Sequence, residues 1–171
     1  MIALGLSVAL GQAAAKRPNV LFIAIDALND WIGCLGGHTQ VRTPNIDRLA
    51  EGGLRYTDFT VTGVCSPSRA ALLTGLNHHS AGVGHASDIP RDFPGYRGVI
   101  HPNVATLPEI LRDNGYATRM VGKWHLVNAV DRGEQGPFDN WPTNRGFDQF
   151  FGILASHTNQ WVPDDLWQGT T

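Results

Sequence analysis

The sequence predicts an α/β domain, a mainly parallel sheet flanked by helices. Three observations carry that expectation. Val20 to Ile25 is a continuous apolar, β-branched run suited to a strand buried on both faces. Segments with helical spacing open on Thr-Pro or Ser-Pro, or carry Pro in the first turn, and close on Gly. A second strand-like run, Tyr116 to Val121, follows one of those helices. With 171 residues, 42% hydrophobic and 16% charged, the chain can bury one core and is short for two domains. The formal net charge of −2 gives no bulk field toward nucleic acid or an anionic membrane, so any bound anion must be held locally.

Taken in order, residues 1–15 hold an apolar run, Ile2 to Leu10, followed by Ala13-Ala14-Ala15. That pattern reads as a signal peptide missing a basic start and too short to form a stable membrane span. It puts the working domain in residues 16–171 and the expected location in the periplasm or outside the cell. After the first strand, Thr43 to Gly53 predicts a short amphipathic helix with Thr43 as cap, Pro44 at its first position and glycines as stop. Leu54 to Val61 has strand composition. In VCSPSRAALLTG, Ser66 predicts a cap, Pro67 the first helical residue and Gly75 the stop. Residues 80–102 read as a long loop rich in Gly, Pro and Asp, and Leu107 to Gly115 as a third helix. From Asp131 onward the chain reads as loop.

Three polar features stand at strand ends or helix starts, where open α/β sheets bind ligands. Asp26, directly after the first strand, is either a hard-metal ligand or a turn cap. Cys65 stands just ahead of a helix N-terminus, where unpaired N–H groups attract anions and favour a thiolate, and Arg69 follows one turn later. Lys123 and His125, at the end of the second strand, could both reach one small anion. With only Cys34 and Cys65 present, no disulfide framework or zinc motif is available; one bridge between them is the structural alternative.

These residues resemble the N-terminal part of the catalytic domain of a type I sulfatase, arylsulfatase-like, in the alkaline phosphatase-like superfamily. The resemblance rests on Cys65-Ser66-Pro67-Ser68-Arg69 with Leu73-Thr74-Gly75, on RPNVLFIAIDAL from Arg17, on TPNIDRLA from Thr43, on GYATRMVGKWHL from Gly115 and on GFDQFFG from Gly146. It implies that Cys65 is a precursor, oxidised by a formylglycine-generating or anaerobic sulfatase-maturating enzyme to formylglycine, an aldehyde that hydrates to a geminal diol. One diol oxygen attacks the sulfur of a small-molecule or carbohydrate sulfate ester, and the other expels sulfate. The resemblance further implies that Asp26 and the modified Cys65 ligate calcium and that Arg69 holds the diol. Lys123 would clamp a sulfate oxygen, and His125 would position or deprotonate the diol.

The chain also departs from the pattern. Many members carry two adjacent aspartates where this chain has Asp26 followed by Ala27, with Asp30 nearby. Further metal ligands, a second His and a second Lys belong to a downstream part of the family pattern that nothing here matches. Two other readings follow: a phosphonate monoester or phosphodiester hydrolase of the same superfamily, and a truncated fragment that is inactive alone.

Overall fold

The structure, a computed structural model, describes residues 17–171; the leader assigned to 1–15 lies outside the described residues. Three helices and three strands organise it: α1 (Pro44–Glu51), α2 (Cys65–Thr74), α3 (Leu107–Asp113), β1 (Arg119–Lys123), β2 (Gln149–Ile153) and β3 (Trp167–Gln168). The sheet order is β1-β2-β3, with β1 parallel to β2 from Arg119↔Gln149 to Lys123↔Ile153 and β3 antiparallel to β2. The long pair is therefore parallel, as expected. One residue pair before its end, Gly122 faces Gly152, and a Cβ on Gly152 would strike the Gly122 backbone, so the glycine at 152 lets the strands close up just before Lys123.

Every buried side chain among the described residues lies from Ser66 onward. The core is Ala70 of α2, Ala81, Val83 and Ile100 of the long loop, Trp124, Leu126 and Val127 after β1, Trp141, Phe150 of β2 and Leu154 just after it. The 80–102 loop is thus a structured arm, tied across itself by the Val83–Tyr96 bridge and the Gly84 N–H to Gly95 carbonyl bond. Trp124 and Trp141 are buried whole because each indole N–H finds a carbonyl, that of Asn140 and of Asp131, both at 2.8 Å.

Helix boundaries follow the sequence signals with one shift. α1 begins at Pro44 as expected, although the Thr43 hydroxyl donates to Asp47 and accepts the Gly33 N–H rather than an N–H of the helix it precedes. α3 has a full capping box, with Glu109 N–H to Thr106 Oγ1 at 3.3 Å and Thr106 N–H to Glu109 Oε2 at 2.6 Å. α2 starts earlier than expected: Val64 is the cap residue, extended and without a side-chain bond, and Cys65 is already helical. Gly75 ends it at φ +69, the left-handed region glycine favours.

The strand expectations divide. Tyr116 to Val121 becomes β1, displaced to Arg119–Lys123, and GFDQFFG, read as loop, supplies β2. Neither Val20 to Ile25 nor Leu54 to Val61 forms a strand, and both stay exposed. A strand buried on both faces needs a layer over each face, and the described residues place none against these runs. Segment 17–26 nevertheless meets the β1 region at its two ends: Arg17 lies over the Tyr116 ring at 5.8 Å, and Asp26 meets Lys123. No described helix is long and apolar enough to cross a membrane. Cys34 and Cys65 are both free thiols, so the bridge alternative is overturned.

Candidate active site

α2 fixes the first side of the site. It buries Ser66, Pro67 and Ala70 against the core, which leaves Cys65 and Arg69, one turn apart, side by side on a neighbouring face. Ser66 is a staple rather than the expected cap: its Oγ accepts the Ser87 N–H at 3.1 Å, and the Ser87 hydroxyl donates to the His125 carbonyl at 3.0 Å. Satisfying a buried donor in the arm outweighs capping an accessible helix end. Motif helix, arm and the turn after β1 are thereby joined through one buried polar chain.

That chain holds His125 in an uncommon backbone conformation, φ +55, outside the ordinary range for a residue with a side chain. Its N–H donates to the Leu154 carbonyl at 3.2 Å, so both of its backbone groups are engaged. The ring is directed to Cys65, with Sγ 3.1 Å from Nδ1. On its other side Nε2 lies 3.1 Å from Asp88 Oδ2. The second Asp88 oxygen forms an ion pair with Arg132, whose guanidinium also donates to the Val127 carbonyl.

Asp26, Arg69 and Lys123 form the adjoining half. Asp26 Oδ2 takes Lys123 Nζ at 2.7 Å and Arg69 Nη2 at 3.0 Å, and Arg69 Nη1 donates to the Lys123 carbonyl. The five residues expected from sequence, Asp26, Cys65, Arg69, Lys123 and His125, therefore converge in two linked clusters. Asp30 has no ion pair or side-chain hydrogen bond in either cluster. His78 and His79 stack on one another, and His79 bonds the Tyr96 hydroxyl at 2.9 Å, so neither belongs to the site. Asp88 and Ser87 are residues that sequence reading missed; their only signal was their place in a long loop.

The electrostatics follow from burial and from the cations. Burial pushes the His125 imidazolium down to about 4, helped by the Lys123 and Arg69 charges and by His157, with Asp26 opposing. The ring is neutral at neutral pH. Desolvation raises the Asp26 carboxyl, but hydrogen bonds and charge from Lys123 and Arg69 outweigh it, leaving Asp26 below the usual carboxylate range.

As a calcium site the arrangement supplies one carboxylate, Asp26, with one oxygen taken by two cations, beside Cys65. Calcium takes six to eight oxygens. No group of three or more His, Cys, Asp or Glu gathers among the described residues. These residues alone do not make a calcium shell, and no step is derived through a metal. The Cys65 position suits an aldehyde or its hydrate: the side chain is unbridged, only half-buried, and faces a neutral imidazole.

Comparison with known proteins covers the same stretch. A family model described as Sulfatase matches residues 18–169. An uncharacterised sulfatase of Schizosaccharomyces pombe is 40% identical over 158 residues, 88% of this chain and 27% of that protein. Human arylsulfatase A is 42% identical over 154 residues, 89% of this chain and 28% of that protein. Among solved structures, Ps i-CgsB in complex with k-i-k-neocarrahexaose superposes with a TM-score of 0.55 at 30% identity, over 76% of this chain and 26% of that one. The chain thus spans under a third of the length of the curated relatives it matches.

Proposed function

The chain belongs to the sulfatase family, and from that premise we propose that it carries the nucleophile side of an enzyme that hydrolyses sulfate esters to an alcohol and sulfate. One observation carries the reading: a free Cys65 at the start of a motif helix, 3.1 Å from a neutral histidine, with two cations beside it. Sγ stands where the oxygens of hydrated formylglycine would be. Oxidised by a maturating enzyme, Cys65 would supply a diol, one oxygen to attack sulfur and the other to expel sulfate.

The remaining residues have roles set by their charge and placement. Lys123 offers a compact positive charge to a sulfate oxygen, and Arg69 a fixed guanidinium to the diol and its developing charge. The neutral His125 accepts a proton at Nδ1. We assign Asp26 as one calcium ligand and the modified Cys65 as another; for Asp26 this means exchanging its contacts with Lys123 and Arg69 for the ion. The substrate class is a sulfate ester of a small molecule or carbohydrate, in keeping with a neighbour solved with k-i-k-neocarrahexaose. The periplasm or the extracellular space is the proposed location, and residues 1–15 the proposed leader.

The test is turnover of an aryl sulfate and an aryl phosphonate by a full-length protein containing this chain, coexpressed with a formylglycine-generating enzyme, with the Cys65 peptide followed by mass spectrometry; the 171-residue chain alone should be inactive. Aldehyde at Cys65, preference for the sulfate and loss of turnover in Cys65→Ala are expected. A strong phosphonate preference would move the reading to the phosphonate and phosphodiester hydrolases of the superfamily. Unmodified Cys65 with full turnover would overturn it.

A further inference from the structure

We propose that Asp88 is a positioning residue that locks His125 in the Nε2–H tautomer, turning the free lone pair of Nδ1 toward the nucleophile at position 65. The inference rests on the proposed role of His125 as proton acceptor. Neutral imidazole carries one N–H, and the partner of one nitrogen decides what the other presents. Asp88 Oδ2 lies 3.1 Å from Nε2, and an ionised carboxylate can only accept, so the proton sits on Nε2. Nδ1, 3.1 Å from Cys65 Sγ, is left as acceptor.

The surroundings favour this as a built arrangement. Asp88 is itself oriented: Arg132 holds its Oδ1, leaving Oδ2 for the ring. Its neighbour Ser87 is pinned at both ends, by Ser66 Oγ and the His125 carbonyl, so arm and histidine keep a fixed separation. The left-handed backbone at His125 adds a conformational cost that a merely structural histidine would not need. In the reaction one hydroxyl proton of the diol passes to Nδ1, so that an O–H bond breaks and an N–H bond forms. The oxygen left behind forms the aldehyde C=O as the bond from carbon to the sulfate oxygen breaks, and sulfate leaves. Asp88 stabilises the resulting imidazolium through the Nε2–H it already holds.

The decisive variant is Asp88→Asn, which keeps the shape. Arg132 draws the amide oxygen to itself, so the amide N–H₂ faces Nε2 and forces the proton onto Nδ1. In two-bond proton–nitrogen NMR, His125 should read Nε2–H in the wild-type protein and Nδ1–H in Asp88→Asn. On an aryl sulfate, kcat should fall by about 10²-fold, the lower end of what general-base catalysis contributes, with KM changed by less than about threefold. Wild-type His125 in the Nδ1–H form, or an unchanged tautomer and kcat in Asp88→Asn, overturns the proposal. If instead the tautomer switches while His125→Ala leaves turnover intact, the role of His125 fails and the positioning by Asp88 stands. Should Asp88→Asn not fold, the wild-type tautomer alone still decides.

Discussion

Phe22 and Ile23 are 65% and 73% exposed, whereas Trp124 and Leu126 are each 1% exposed, yet both runs deliver a polar residue to the same site. One run ends at Asp26 and the other surrounds His125. The first is held beside β1 by its ends, through Arg17 on Tyr116 and Asp26 on two cations. The second is held by burial, a parallel ladder and indole hydrogen bonds. Two kinds of positioning therefore meet at one point. Packing places the nucleophile, its histidine and Lys123; charge places Asp26.

The comparison breaks most visibly at Trp124. Truncating it to Ala removes a fully buried indole from beside Lys123 and His125 and should cost about 3–5 kcal/mol of folding stability. Phe22→Ala, an aromatic truncation in the other region, should stay within about 0.5 kcal/mol. Denaturant unfolding of the two variants checks the contrast, and comparable losses would mean that segment 17–26 is packed after all.

Smaller effects sharpen the picture within the packed region. Ser66→Ala strands the buried Ser87 N–H, so a loss of about 1–3 kcal/mol is expected. Because that bond also seats the arm carrying Asp88, NMR of the His125 ring should shift alongside the unfolding midpoint. Thr106→Ala removes the capping box and the 2.8 Å bond to the Arg145 carbonyl, at about 1–2 kcal/mol. It lies on α3, outside the site, and should leave the His125 ring signals in place. A ring shift as large as that of Ser66→Ala would show the core transmitting strain rather than the staple holding one contact.

The same division explains what the sequence made legible. Helices α1 and α3 were readable because Thr43-Pro44 and Thr106-Leu107-Pro108-Glu109 mark their starts locally. The five site residues were readable because motif and strand-end logic name them one by one. Where α2 begins was not, since Ser66 was claimed by Ser87, 21 residues away. β2 hid in an aromatic, glycine-rich stretch whose strand character comes from its pairing with β1. Asp88 was invisible because no spacing rule links a loop carboxylate to a histidine 37 positions on. Val20 to Ile25 erred in the other direction: composition states what a segment can do in a sheet, and only covering layers make it do so.

A small stability effect is also expected where the activity effect is large. Asp26→Asn removes a carboxylate held by Arg69 and Lys123 at 3.0 and 2.7 Å, on a side chain that is 38% exposed. Accessible ion pairs contribute about 0–1 kcal/mol, so unfolding should barely move. The two cations, in contrast, lose the anion that orients them. Turnover of the aryl sulfate should therefore fall while the unfolding midpoint and the His125 tautomer stay as in the wild type. A variant that unfolds early would make Asp26 a structural anchor of segment 17–26. One that folds and turns over normally would remove it from the site altogether. Together with Trp124→Ala, which should harm folding first, this separates the residue that charge brings to the site from those that packing holds there.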